Sequence, residues 1–163
     1  MDGAATLGSA ALDGSGRATL GVSTLAVGSH SITAVYGGNA GLRGSTSGAL
    51  SESLGQASSS VTVTAPATAG VGQAVTFSVR VSAVAPGAGT ASGTVQFQID
   101  GVNFGAPVAL SGGMATSGSI NSMGLGNHTI TAIYAGDSNF VGASGWAANS
   151  PRATSCSQRS LQT

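Results

Sequence analysis

An eleven-residue segment occurs twice in this chain. Gly28-Ser-His-Ser-Ile-Thr-Ala-Val-Tyr-Gly-Gly38 returns 98 positions later as Gly126-Asn-His-Thr-Ile-Thr-Ala-Ile-Tyr-Ala-Gly136, with seven of eleven residues identical. A fixed period of this kind means that a structural unit was copied, so architecture constrains the chain before any chemistry does. The period is close to the length of one two-sheet β-sandwich, roughly 100 residues. Further pairs keep the offset: Asp2-Gly3 with Asp100-Gly101, Leu12 with Leu110, Leu25 with Met123. Gly8 and Gly105 match one position short of it, which marks a single-residue indel.

The residues around the copies alternate. Val61 and Val63 interleave with Thr62 and Thr64, and Val75, Phe77, Val79 and Val81 with Thr76, Ser78, Arg80 and Ser82. Val95, Phe97 and Ile99 interleave with Thr94, Gln96, Gln98 and Asp100. A period of two is that of half-buried strands. Pro66 to Gly72 and Pro86-Gly87-Ala88-Gly89 read as turns, and Asp100-Gly101 as a hairpin dipeptide. Pro107 interrupts the segment Phe104 to Leu110, which places it at a sheet edge. In the second copy of the repeat, His128, Ile130, Ala132 and Tyr134 share one face, read as the inward one. Met114 to Ile120, rich in Ser and Gly, shows no clear register. No helical period lasts more than a turn, so the expected class is all-β.

Composition narrows the function. Leu, Ile, Val and Phe make up about a fifth of the chain, at the border of disorder. Disorder also expects high net charge and little β-branching, whereas here the net charge is zero and Val and Thr recur with a period. The reading is a thin-cored β protein, with 27 Gly for its turns. Only 6% of residues are charged and all five cations are Arg, which leaves no electrostatic footprint for nucleic acid or an anionic membrane. No apolar run approaches the ~18 residues of a membrane span, so no membrane insertion is expected. Asp2-Gly3-Ala4-Ala5 after Met1 lacks the basic start and apolar stretch of a signal peptide. Cys156 is the one cysteine, so an intrachain disulfide is excluded.

The two copies are staggered. Residues 1–56 read as the closing part of a truncated module, with its last strand between Ser45 and Leu54. Residues 57–145 read as a module that lacks its last strand, because Pro151 to Thr163 shows no alternation. Residues 146–163 read as a disordered or aberrant tail, and both ends as cuts through a longer array. On this reading the second module has an open edge, and a Ser45–Leu54 strand from another chain would fill it by strand addition.

Taken in order, these pieces resemble the bacterial Ig-like domain repeats found in tandem in large surface and secreted proteins. Val71-Gly-Gln-Ala-Val-Thr-Phe77 looks like that family's second strand. Gly93-Thr-Val-Gln-Phe97 with Asp100-Gly101 looks like its third. Leu110, Gly126 to Tyr134 and Gly136-Asp-Ser-Asn-Phe140 look like its closing half. The resemblance covers about residues 1 to 145. It implies an immunoglobulin-like β-sandwich and an extracellular or cell-surface location in the parent protein. It also implies a non-catalytic structural or spacer role, adhesion included, with neighbouring Ig-like repeats as partners. Two alternatives stay open: a module that binds a glycan or a protein ligand, and an accessory domain of a larger extracellular enzyme.

The resemblance carries over no catalytic residue, and the residues themselves assign no catalytic, cofactor-binding or metal-ligating role. His30 and His128 hold equivalent places with no ligand spacing around them, so each reads as a packed or hydrogen-bonded histidine. Asp137-Ser138-Asn139 carries oxygen-bearing side chains at the start of a loop that could face calcium, with Asp100 as the nearest acidic help. Calcium takes ~6–8 oxygens, so an Asx turn is the simpler reading. Tyr36 and Tyr134 read as packed rings with locally bonded hydroxyls. Trp146 is an isolated ring that would suit a sugar but lacks a neighbouring platform. Gly124-Leu-Gly-Asn-His lacks the strand-to-helix context of a phosphate loop. The Ser-rich stretches show no G-x-S-x-G elbow.

Overall fold

The computed structural model describes residues 1–66 and 72–149. The described residues contain eleven strands and no helix: β1 Gly28–Ile32, β2 Val35–Tyr36, β3 Ser45–Thr46, β4 Leu50–Leu54, β5 Ser59–Thr64, β6 Ser78–Ala83, β7 Thr94–Ile99, β8 Val102–Ala109, β9 Met114–Thr116, β10 His128–Tyr134 and β11 Ala143–Asn149. The chain divides into two compact units, Met1–Gln56 and a second that begins at Ala57. The class is the all-β one expected, and the second unit is a sandwich of a four-stranded sheet, β11-β10-β7-β8, and a three-stranded sheet, β5-β6-β9.

The core of the second unit follows from the alternation. Val79 and Val81 of β6, Val95 and Phe97 of β7 and Ile130, Ala132 and Tyr134 of β10 point between the sheets and are buried. Val75, Phe77 and Phe140 join them from outside the strands. Each large apolar side chain so placed contributes roughly 1.5–3 kcal/mol relative to exposure. The partners of Val75 and Phe77 lie in the Met114–Ile120 stretch, where the sequence shows no register. Ser117 N–H donates to Phe77 O at 2.8 Å and Val75 N–H to Ile120 O at 2.8 Å. The buried residues there are Ala115 and Ser117, preceded by buried Gly113, all too small to print an apolar pattern.

Asp100 and Gly101 both take positive φ, 51° and 82°, and close the β7–β8 hairpin as a primed turn. β8 is the edge strand expected from Pro107. It bulges between its pairings with Val95 and Phe97. Gln96 Nε2 covers the bulge, donating to Gly105 O at 3.2 Å.

The last strand corrects the sequence reading. The second module does not lack it: β11 runs from Ala143 to Asn149 and pairs with the whole of β10, from Tyr134↔Ala143 to His128↔Asn149. Trp146 to Asn149, assigned to a tail, are strand residues. The strand shows no apolar alternation because its inward positions are Ala143, Gly145, Ala147 and the polar Asn149, with the one large apolar residue, Trp146, facing out. Gly145 lies so close to the Val61 backbone of β5 that no side chain fits between them. Residues 150–163, including Cys156, and most of the expected turn from Pro66 to Gly72 lie outside the described residues.

The first unit repeats β10 and β11 as two broken strands each. β2 pairs with β3 in the register of the second unit, Val35↔Thr46 and Tyr36↔Ser45. β1 pairs with β4 one residue further on, Ile32↔Leu50. The extra residue bulges at Gly48–Ala49, beside Ser47, whose hydroxyl accepts from Ala34 N–H at 3.0 Å. The Ser45–Leu54 segment is therefore not an orphan: its own repeat pairs it, and β10 already holds β11. The strand exchange expected between chains has neither its donor nor its slot.

Candidate functional site

The two histidines lie in equivalent settings. His128 Nδ1 meets Asp100 Oδ2 at 2.7 Å and its Nε2 meets Gly124 O at 3.1 Å. His30 Nδ1 meets Asp2 Oδ2 at 2.6 Å and its Nε2 meets Ala26 O at 2.8 Å. The second carboxylate oxygen in each accepts the next backbone N–H, from Thr129 at 2.8 Å and Ser31 at 3.0 Å. Every one of these atoms has its counterpart 98 residues away.

The chemistry of this clasp is set by its acceptors. A carboxylate and a carbonyl oxygen both only accept, so an imidazole between them is satisfied when both its nitrogens carry protons. Both histidines are accordingly raised above the ordinary 6.5, first by the hydrogen bond to the aspartate and then by the backbone carbonyl. Asp2 and Asp100 are lowered below 3.8, chiefly by the same histidine bond. In this state neither ring nitrogen is open to take a proton from a bound molecule. The clasp ties the start of β10 to the β7–β8 turn, and in the first unit the start of β1 to Asp2.

Sequence reasoning missed the aspartates as partners. The signal was present, since Asp2 precedes His30, and Asp100 precedes His128, by 28 residues. Asp100 therefore serves His128 rather than Asp137.

Asp137 and Asn39 are a second duplicated device. Asp137 Oδ1 accepts from Asn139 N–H at 2.8 Å and Phe140 N–H at 2.9 Å, and Asn39 Oδ1 from Gly41 N–H and Leu42 N–H, both at 2.8 Å. These are Asx turns. Asp137 adds a hold on the chain before β7: its Oδ2 accepts from Ser92 N–H at 2.8 Å and Ser92 Oγ at 2.6 Å. Burial alone would raise this carboxyl, but the donors converging on it, Ser92 foremost, hold it well below the usual carboxylate range. Among the described residues no group of three or more His, Cys, Asp or Glu is placed to hold a metal ion.

Tyr134 is buried at 1% exposure. Burial and the neighbouring Asp137 carboxylate push its hydroxyl up to about 12. Its oxygen makes no hydrogen bond of normal geometry among the described residues. Tyr36, its counterpart, is half-buried. Trp146 is 71% exposed on the outer face of the four-stranded sheet. The β-ladder puts it in one row with Thr131, Gln98 and Asn103, one residue from each strand. Gln98 Nε2 donates to Asn103 Oδ1 at 2.9 Å along that row. The described residues include no helix long and apolar enough to cross a membrane.

A comparison with curated proteins returned no match. A family model, described as bacterial Ig-like domain (group 3), matches residues 1–55 and 58–150. Its two matched segments coincide with the two halves of the internal repeat, and its sandwich is the one built above. This chain belongs to the bacterial Ig-like domain family, group 3, whose members are generally non-catalytic modules.

Proposed function

We propose that the chain is a load-bearing spacer in a bacterial surface or secreted protein built from such modules in series. The observation that carries this reading is the parallel contact between the beginning and the end of the second unit. Ala57 N–H donates to Asn139 O at 2.8 Å and Val141 N–H to Ala57 O at 2.9 Å, where Ala57 pairs parallel with Phe140. Ser59 Oγ adds a bond to Val141 O at 2.6 Å. Tension applied at Ala57 and beyond Asn149 pulls these two segments past each other, so the bonds resist together in shear instead of opening one by one. The family's common occurrence in extracellular proteins and the duplicated polar clasps agree with a passive, repeated element.

Pulling the chain by its ends in a force spectrometer is the test. The expected trace contains one cooperative event that releases about 30 nm, the extended length of some 90 residues. A Val141→Pro chain, which loses the donor to Ala57, yields at clearly lower force. A smooth extension without a discrete event overturns the reading.

The outer sheet face supports a second reading, a glycan-binding module. The row Trp146–Thr131–Gln98–Asn103 spans four strands, roughly 14 Å at the usual strand spacing. It offers an indole face for the C–H side of a sugar ring, followed by hydroxyl and amide groups for its hydroxyls. A glycan array distinguishes the readings: binding lost on Trp146→Ala favours the second, and silence across sugars removes it.

A further inference from the structure

Aspartate precedes glycine three times in this chain, at Asp2-Gly3, Asp13-Gly14 and Asp100-Gly101. That pair carries a chemical liability. The backbone nitrogen of the glycine can attack Cγ of the aspartate and close a five-membered succinimide. An N–Cγ bond forms and a Cγ–O bond breaks. The departing oxygen leaves as water, with the amide proton and one from solvent. Water then adds to the ring carbon that was the backbone carbonyl, and its bond to nitrogen breaks. The product is isoaspartate, in which the chain runs through Cγ and the former backbone carbonyl is the free carboxylate. Glycine has no Cβ to hinder the attack.

At Asp100 the liability is built into the fold, because the β7–β8 hairpin needs positive φ at both residues. Burial does not shield the site, since the Asp100 side chain is 50% exposed. Its two oxygens are held instead. Oδ2 meets His128 Nδ1 at 2.7 Å and Oδ1 accepts from Thr129 N–H at 2.8 Å. Whichever oxygen leaves must first give up its donor, and Cγ cannot turn onto Gly101 N while both bonds stand. Asp2 makes the same two bonds, to His30 and Ser31.

Asp13 is held differently. Its Oδ1 accepts from Ser15 N–H at 2.9 Å, Ser15 Oγ at 2.7 Å and Arg17 N–H at 2.9 Å, all within its own turn. Among the described residues no donor meets its Oδ2, so that oxygen can leave at no such cost. Asp13 and Gly14 are exposed. Their counterparts at the repeat's offset, Ser111 and Gly112, are exposed in the second unit too, so the openness of this turn belongs to the module. All three carboxyls are lowered below 3.8, so ionisation does not set them apart. The difference lies in the unheld oxygen.

We propose that Asp13-Gly14 is the site at which this chain converts to isoaspartate, and that the two Asp–His clasps suppress the same conversion at Asp2-Gly3 and Asp100-Gly101. A hairpin that takes its shape from Asp-Gly is thus kept chemically intact by a histidine 28 residues away. The clasp then sets the chemical lifetime of the turn as well as tying it to β10.

The test ages the full chain in warm neutral buffer, folded and in urea, and locates β-linked aspartate by proteolysis and mass-spectrometric fragmentation. In the folded chain Asp13 should convert at least ~10-fold faster than Asp100, where ring closure must first break a charged hydrogen bond. In urea, without clasps, the three sites should convert at similar rates. A His128→Gln chain with unchanged circular dichroism should convert faster at Asp100 and at the same rate at Asp13. The comparison of sites in the unaltered chain stands even if that variant fails to fold. The proposal is overturned by conversion at Asp100 as fast as at Asp13 in the folded chain, by no conversion at Asp13 there, by a site difference that persists in urea, or by an unchanged Asp100 rate in the folded variant.

Discussion

The same side chains carry different weight in the two copies, and Tyr36 and Tyr134 show it best. Tyr134→Ala removes a sealed ring and should cost about 3–5 kcal/mol in urea unfolding. Tyr134→Phe deletes a buried hydroxyl that lacks a well-formed hydrogen bond and should cost less than about 0.5 kcal/mol, or stabilise. Tyr36→Ala should cost under about 1 kcal/mol, because its ring is already half in water. The Asp–His clasps predict the pH dependence. The raised histidines stabilise fully below their ordinary 6.5, and that contribution is lost as pH rises through their raised folded values. The lowered aspartates stabilise above their ordinary 3.8, and that contribution is lost as pH falls through their lowered folded values. Thermal stability should therefore be highest between about pH 4 and 6 and decline toward pH 8. A chain carrying His30→Gln and His128→Gln should lack that alkaline decline. An unchanged decline in the variant would show that other groups produce it.

At the level of strands, close approach decides what the sequence can display. β11 is a complete strand that pairs along all of β10, yet its inward residues are Ala143, Gly145, Ala147 and Asn149, and at Gly145 the Val61 backbone of β5 leaves no room for a side chain. Gly145→Val should prise β11 from β5 and cost about 3 kcal/mol or more. Loss of protection from hydrogen exchange along β11 would accompany it. The chain reversal before β11 obeys the same logic. Gly136 has φ of 90°, and a Cβ there would lie 2.9 Å from Gly142 N; Gly38 stands likewise 2.8 Å from Gly44 N. These glycines belong to the repeat, and the sequence displays them. The one-residue bulge at Gly48–Ala49 does not appear in the repeat itself and emerges from comparing the two registers.

For the whole molecule, one unit has a core and the other has half the elements of one. No residue of Met1–Gln56 is buried, whereas the second unit seals a continuous cluster from Val75 to Phe140. Cooperative unfolding should therefore belong to the second unit. Amides of β10 should exchange near the global unfolding rate, and those of β1 and β2 orders of magnitude faster, despite the near-identical sequence. Equal protection in the two copies would mean that the first unit is sealed by contacts other than those described.

The sequence by itself determined the strand class, the repeat and its period, the inward face of β10 and the family. These all rest on residue size and polarity at fixed spacing, which neighbours along the chain reveal. It left His30 and His128 without partners, since Asp2 and Asp100 stand 28 residues away from them. It also left β11 unread, since small residues selected by a facing strand look like no pattern at all. Tertiary structure decided both, because a carboxylate meets its imidazole only where strands distant in sequence pair side by side, and Gly145 meets its opposing backbone only across the sandwich.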